Sequence, residues 1–200
     1  MKNRLRIALA DDDRDVRDYF EEILPRLGHE VAASAASGKE LVRLCESCHP
    51  DLVIADLRMP DLNGVEASLA LSRVKPTPVI IVSAYEDAAL LARCGGDHVM
   101  AYLVKPVREP DLRMAIPLAM LRFEQLLALY RETVDLKQAL NDRKVVERAK
   151  GILTKRLRVE EPDAFRRLQK LASTRNQKLI EVAQSILIAE EVFDALEKVV

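Results

Sequence analysis

Cysteine, glycine and aromatic residues are all scarce in this chain, and each scarcity removes a class of function. Three cysteines in 200 residues cannot build a disulfide framework and fit a reducing compartment. Six glycines include no phosphate-cradling loop or dinucleotide fingerprint, and no Ser-His-Asp order appears. No apolar run approaches the roughly 18 residues that a membrane span requires. The start, Met1-Lys2-Asn3-Arg4-Leu5-Arg6, passes into Ile7-Ala8-Leu9-Ala10 without an apolar signal region, so a cytoplasmic protein with no membrane partner is expected. A net charge of -1 excludes a uniformly basic nucleic-acid coat but leaves local patches open.

Those patches exist. Residues 1–116 carry 15 basic and 19 acidic side chains, while residues 117–200 carry 16 and 13. Within the second part, residues 143–178 hold 12 basic and 4 acidic side chains, and 179–200 fall back to 1 and 5. Positive charge is therefore concentrated in one segment.

The first part alternates short apolar runs with amphipathic stretches, the pattern of β-α-β units around a parallel sheet. The runs Leu5 to Ala10, Glu30 to Ala33, Leu52 to Ala55, Val79 to Val82 and Ala101 to Val104 read as five buried strands. Helices are predicted over 14–27, 38–48, 64–74 and 86–94, with another starting after Pro110. This describes a doubly wound α/β domain, whose ligands gather at the carboxyl ends of the strands.

The second part is predicted to be all helix. Met120, Phe123, Leu127, Tyr130 and Val134 share one 3-4 stripe, and Leu126, Leu129, Leu136 and Leu140 form an adjoining one. Such a seam packs back on its own chain or joins a second copy, and a coiled-coil dimer through 118–140 is the expectation. Two shorter helices are predicted at 161–174 and 178–197. Gly151 stands inside a helical pattern, where glycine costs about 0.8–1 kcal/mol relative to alanine. Close approach of the following helices to its backbone is the simplest expectation.

The chemistry-bearing residues stand at strand ends: Asp11-Asp12-Asp13 after the first, Asp56 after the third, Ser83 after the fourth and Lys105-Pro106 after the fifth. In a parallel sheet they converge on one rim. Clustered carboxylates favour a hard cation among them, and Mg²⁺ fits. A Lys and a Ser opposite the acids can contact phosphoryl oxygens, so the constellation describes phosphoryl transfer with an Asp nucleophile. Helix capping explains Asp12 or Asp13 taken singly, but not acids, Ser and Lys on four strands.

At these residues the sequence resembles the receiver domain of two-component response regulators. The match runs over about residues 4 to 117, through Leu9-Ala10-Asp11-Asp12-Asp13, Asp56-Leu57-Arg58-Met59-Pro60-Asp61-Leu62-Asn63-Gly64, Val82-Ser83-Ala84 and Tyr102-Leu103-Val104-Lys105-Pro106. The resemblance implies that Asp56 is the phosphoacceptor and that Asp11 and Asp12 are the acidic pair. It also implies Mg²⁺ on Asp12, Asp56 and the Arg58 backbone carbonyl with Asp11 beside them, Ser83 and Lys105 on the phosphoryl group, and Tyr102 as an aromatic switch. A sensor histidine kinase is the implied phosphodonor.

A second resemblance follows. Ala149-Lys150-Gly151, Glu161-Pro162-Asp163-Ala164-Phe165, Leu168, Leu171-Ala172 and Val182-Ala183 resemble the ANTAR domain of transcription antitermination regulators, a three-helix RNA-binding module. Thr154 and Arg158 depart from its usual Met and Gly. The resemblance implies leader hairpins as the target. Read without it, the basic segment still suits a polyanion. The candidate contacts are Arg143, Lys144, Arg148 and Lys150 on the long helix, Lys155 and Arg156 at its end, and Arg166 and Arg167 beyond. Phe165 is the one aromatic between 143 and 178, which favours structured RNA over a single-strand stacking platform.

The expected organisation is a receiver at 1–117, a helical dimerisation segment at 118–140 and an RNA-binding helical domain at 136–200. The protein is expected to act as a phosphorylation-controlled switch promoting antitermination, a homodimer when active, and not as an enzyme of turnover. The alternatives are a DNA-binding or protein-binding output and an Asp-nucleophile phosphatase. Cys45-Glu46-Ser47-Cys48-His49 formally matches covalent haem attachment, but Leu41, Cys45 and Cys48 share one helical stripe and read as small core residues. His29 and His98 read as surface or loop residues.

Overall fold

A computed structural model describes residues 4–84 and 99–197. The chain divides into two compact units, Met1–Ala128 and Leu129–Val200. The helix predicted at 86–94, and Cys94-Gly95-Gly96-Asp97-His98 with it, lie outside the described residues.

The first unit contains β1 (Arg6–Ala10), α1 (Arg14–Arg26), β2 (Glu30–Ala35), α2 (Gly38–Cys48), β3 (Leu52–Asp56), α3 (Gly64–Val74), β4 (Val79–Ser83), β5 (Val99–Val104) and the start of α4 (Glu109–Leu157). The strands form one five-stranded sheet in the order β2-β1-β3-β4-β5, and every adjacent pair is parallel. The expected five-stranded doubly wound sheet is therefore present. Because strand side chains alternate, each strand feeds two cores. Ile7, Leu9, Leu52, Ile54, Ile80 and Val82 join α1 and the first turns of α4 on one face. Ala8, Ala10, Val53, Ala55, Val79 and Ile81 join α2 and α3 on the other.

The topology positions the site. From β1 the chain steps outward to β2, then returns past β1 to β3, so the carboxyl ends of β1 and β3 flank the point where the winding reverses. A crevice forms there because the adjoining connections leave in opposite directions.

Helix α4 runs 49 residues without interruption, through Pro117. An interior proline costs about 3 kcal/mol by removing a hydrogen bond and crowding the preceding turn. Here Leu112, Ala115, Ile116, Ala119 and Phe123 are all buried around it, and burial at about 25 cal/mol per Å² offsets that cost. The apolar seam thus divides. Phe123 is buried, and Met120, Leu126 and Leu127 pack against the same core, whereas Leu129, Tyr130, Val134, Leu136 and Leu140 are exposed.

The second unit contains the rest of α4 with α5 (Glu161–Arg175) and α6 (Leu179–Glu197). Its core is Ala149, Leu168, Ala172, Val182 and Ala183, with Val145, Val146, Leu153, Leu171, Leu179 and Ile186 around it. Three alanines at the centre let the helix backbones come close, and Leu168 fills the space between them. Helix α4 ends at Leu157 because Arg158 takes a left-handed conformation, φ 53°. Among the described residues no helix is long and apolar enough to cross a membrane.

The expectation for Gly151 needs correction, whereas those for His29 and Cys45 hold. An added Cβ at Gly151 would meet nothing within 4 Å, so among the described residues no helix packs where a side chain at 151 would stand. His29 lies in the loop between α1 and β2, in line with the expectation; it is half-buried, its Nδ1 accepts from the Leu5 amide at 3.4 Å, and burial lowers its pKa. Cys45 is buried as expected, and burial, with Cys48 beside it, pushes its thiol up to about 12. That places it with inert core cysteines.

Candidate functional site

Asp11 follows β1 directly and is buried at 1% exposure. Its Oδ1 accepts from the Asp13 amide at 3.0 Å, which folds the acidic turn onto itself. Asp13 caps α1, accepting from the Asp15 amide at 2.9 Å, so of the three consecutive acids it is the one with a capping role. Asp12 is exposed.

Asp56 is the last residue of β3 and is buried. Its Oδ2 accepts from the Arg58 amide at 2.8 Å, which aims the carboxylate out of the strand end. The next turn is held by a capping box in which the Asn63 side chain and Glu66 each bond the other's backbone amide. Helix α3 then starts at Gly64, against the end of β3. A Cβ there would lie 2.4 Å from the Asp56 carbonyl oxygen and 2.9 Å from Ile81 Cδ1, so only glycine lets the helix begin so close.

Lys105 joins the acids. Its Nζ lies 2.8 Å from Asp11 Oδ2 and 2.8 Å from Asp56 Oδ1, and its amide donates to the Ser83 carbonyl at 2.8 Å across the β4–β5 edge. The Lys105–Pro106 peptide is cis. Burial pushes the Asp56 carboxyl above its ordinary range and the Asp11 charge adds to this, against the opposing pull of Lys105 and the Arg58 amide. Burial lowers the Lys105 ammonium, but its bonds to Asp11 and Asp56 outweigh it and the net shift is upward.

The donor chemistry fits a small hard cation. Asp11, Asp12 and Asp56 each offer a carboxylate oxygen, and these atoms lie within 4.8 Å of one another. Oxygen-only ligands at one accessible rim are what Mg²⁺ takes. Ser83 fits an anionic guest beside it: its hydroxyl is buried with no hydrogen-bond partner among the described residues, and a buried orphan of this kind calls for one. Tyr102 pairs with Ile81 in the β4–β5 register, two residues before Ser83, and is 41% exposed.

In the second unit the candidate cations fall into two groups. Lys150 is engaged, with its Nζ 2.9 Å from Glu147 and 2.6 Å from Glu161, and 5.6 Å from the Phe165 ring centroid. It ties α4 to the start of α5 and covers the ring. Arg156 pairs with Glu190 at 3.0 Å and lies over Phe193, and Arg166 pairs with Asp163 at 3.0 Å. Arg143, Lys144, Arg148, Lys155 and Arg167 are exposed and make no ion pair among the described residues.

Two supporting residues escaped sequence reading. Arg17 donates to the Asp11 carbonyl at 2.7 Å and the Asp12 carbonyl at 3.2 Å, clasping the acidic turn from α1. Its spacing, one turn into the helix, carried no signal without the loop geometry. Gly38 admits the Leu62 carbonyl, 2.2 Å from where a Cβ would stand, and only the fold brings these segments together.

Comparison with known proteins gives two family matches. Residues 7–117 match the response regulator receiver domain and residues 134–187 match the ANTAR domain. The transcriptional regulatory protein PdtaR of Mycobacterium tuberculosis is 37% identical over 182 residues, covering 91% of this chain and 89% of that protein. The chemotaxis protein CheY of Thermotoga maritima is 31% identical over 102 residues, covering 50% of this chain and 85% of its own. Among solved structures, a response regulator receiver domain protein from Clostridium thermocellum is 30% identical with a TM-score of 0.54, covering 60% of this chain and 98% of that one.

Proposed function

The chain belongs to the two-component response regulators that join a receiver to an ANTAR output, and from that premise we propose that phosphorylation of Asp56 controls binding of structured RNA by the helical domain. The observation that carries the first half is the cluster of Asp11, Asp12 and Asp56 closed by Lys105 at 2.8 Å from two of them. The second half rests on the ANTAR match and on the 12 basic side chains between 143 and 178.

In this reading Asp56 Oδ attacks the phosphorus of a phosphohistidine on a sensor kinase, or of a small acyl phosphate, and the donor leaves with its electron pair. Lys105 moves from carboxylate pairing to the transferred oxygens, and the Ser83 hydroxyl donates to one of them. Asp12, Asp56 and the Arg58 carbonyl, with Asp11 beside them, hold Mg²⁺, which when bound neutralises charge on the phosphoryl oxygens. Tyr102 turns inward as Ser83 is drawn to the phosphoryl group, altering the surface around β5. The domain limits in this reading are a receiver at 1–117, a helical segment at 118–140 and an RNA-binding domain at 136–200. The exposed Leu129, Leu136 and Leu140 support a coiled-coil contact between two activated copies. Two helical domains on linked hairpins of one leader gain by effective concentration, which suits antitermination.

A DNA-reading helix is disfavoured by α6. It carries Glu181, Glu190, Glu191, Asp194 and Glu197 and no Lys or Arg, and a recognition helix must meet phosphates and base edges. The test is binding of the full chain to a two-hairpin RNA and to duplex DNA of matched length at two salt concentrations. Lys144→Gln and Arg148→Gln are each expected to weaken RNA binding and to reduce the salt slope by about 1. Equal affinity for duplex DNA, or an unchanged slope in both variants, contradicts the proposal.

A further inference from the structure

Among the described residues nothing requires glycine at 151. Its φ lies outside the left-handed region, it sits in the continuous part of α4, and a Cβ there would meet nothing within 4 Å. Alanine fits this position in every respect the chain itself imposes, and alanine is the better helix former.

Its surroundings are distinctive. At 3.6 residues per turn, Lys144, Arg148 and Lys155 fall within about 60° of Gly151 around the helix axis, spread over roughly 16 Å of its length. All three are exposed and none is paired among the described residues. Ala149, fully buried, points about 160° away into the core of the unit. Glu147 is the acidic residue on this flank, and the Lys150 ammonium holds its carboxylate at 2.9 Å. The result is an outward helical face with bare backbone at its centre and free cations around it.

We propose that this face of α4 is where the RNA sugar–phosphate backbone lies against the protein, with glycine keeping the centre bare so that Lys144, Arg148 and Lys155 reach phosphates together. The inference deepens the RNA-binding reading and rests on it. A polyanion is the partner that three unpaired cations favour. A second copy of the same face would bring like charges together, which is unfavourable. Structured RNA is read through its backbone and shape, so contact at a bare helix surface matters more than a stacking side chain.

The discriminating feature is that stability and binding move in opposite directions. Gly151→Ala in the full chain is expected to raise Tm by about 2–5 °C. It should also weaken binding to a pool of RNA hairpins with randomised loops by about tenfold, one step of 1.4 kcal/mol. Gly151→Leu should weaken it further. Neither removes a charge, but a side chain at 151 holds phosphates away from the flanking cations, so the salt slope should fall in Gly151→Leu, and Lys155→Gln should lower it by about 1. Wild-type affinity in Gly151→Leu overturns the inference while leaving RNA binding intact. Failure of the wild type to bind the hairpin pool overturns the RNA reading and this inference with it. Equal weakening on duplex DNA overturns RNA as the partner. Loss of a dimer in Gly151→Leu, measured by sedimentation, assigns the face to a second copy and overturns the inference too.

Discussion

Asp56→Asn should take up no phosphoryl group from a small acyl phosphate in the presence of Mg²⁺, while the wild type gains the mass of one. The amide keeps the size of the carboxylate and can still accept from the Arg58 amide, now 2.8 Å from Asp56 Oδ2, but it lacks the nucleophilic oxygen anion. The fold should not suffer. Removing one of three carboxylates whose oxygens lie within 4.8 Å of one another relieves repulsion, and Lys105 retains its contact with Asp11. Tm at or above the wild-type value with uptake abolished is the expected pair of results. Phosphorylation persisting in Asp56→Asn, located by mass spectrometry to another residue, contradicts the assignment.

Lys105→Met is expected to have the second largest effect, and on two properties at once. Asp11 and Asp56 are 1% and 6% exposed, and the ammonium 2.8 Å from each is their counter-ion. Removing one partner of a buried pair costs about 3–5 kcal/mol, and the partial exposure of Lys105 reduces this to about 2 kcal/mol. The loss should be largest in chelator, and millimolar Mg²⁺ should restore more stability to the variant than it adds to the wild type. Phosphoryl uptake should slow by about 10²–10³-fold, the usual effect of losing one charged donor at a transferring group. Urea unfolding with and without Mg²⁺ measures the first, and single-turnover uptake measures the second. Wild-type uptake in Lys105→Met removes Lys105 from the phosphoryl site.

The two effects separate the proposed nucleophile from its counter-ion. The sheet could be read because its strands are short apolar runs between Pro, Gly and charge, and the acids, Ser and Lys fall at their ends whatever the loop details. Strand limits moved only at edges: β2 runs on to Ala35 and β5 starts at Val99, where hydrogen bonding to a neighbour extends a strand past its apolar run. The grouping of rim residues was legible for the same reason. Parallel topology converts sequence-distant strand ends into one rim, so Asp11, Asp56, Ser83 and Lys105 could be grouped before any coordinates.

What sequence reading missed depends on close approach between segments far apart in the chain. Gly38 against Leu62, Gly64 against Asp56 and Arg17 over the acidic turn are contacts of backbone with backbone or with a single guanidinium, and no periodicity announces them. The helical part shows the converse. The seam over 120–140 read as one continuous surface, yet its first half is spent on the receiver core and the exposed half begins at Leu129. The basic segment likewise read as one patch, whereas Glu147 and Glu161 hold Lys150, Glu190 holds Arg156 and Asp163 holds Arg166. Charge counts cannot distinguish a cation tied into the fold from one left for a partner.

This division also changes how variants of the helical domain should be interpreted. Lys150 links α4 to α5 and covers Phe165, so a loss of RNA binding in a Lys150 variant reports on the shape of the unit as well as on charge. Among the described residues Lys144, Arg148 and Lys155 make no such ion pair and are the cleaner probes.

The central claim is that phosphorylation at Asp56 governs RNA binding at the other end of the same chain. It is tested most directly by measuring affinity of the wild type and of Asp56→Asn for a two-hairpin RNA, each with and without Mg²⁺ and an acyl phosphate donor. The account predicts that the donor tightens binding of the wild type by about tenfold or more, through pairing of two helical domains on one RNA, and leaves Asp56→Asn unchanged. An equal response in both proteins, or no response in the wild type while it carries the phosphoryl group, contradicts it.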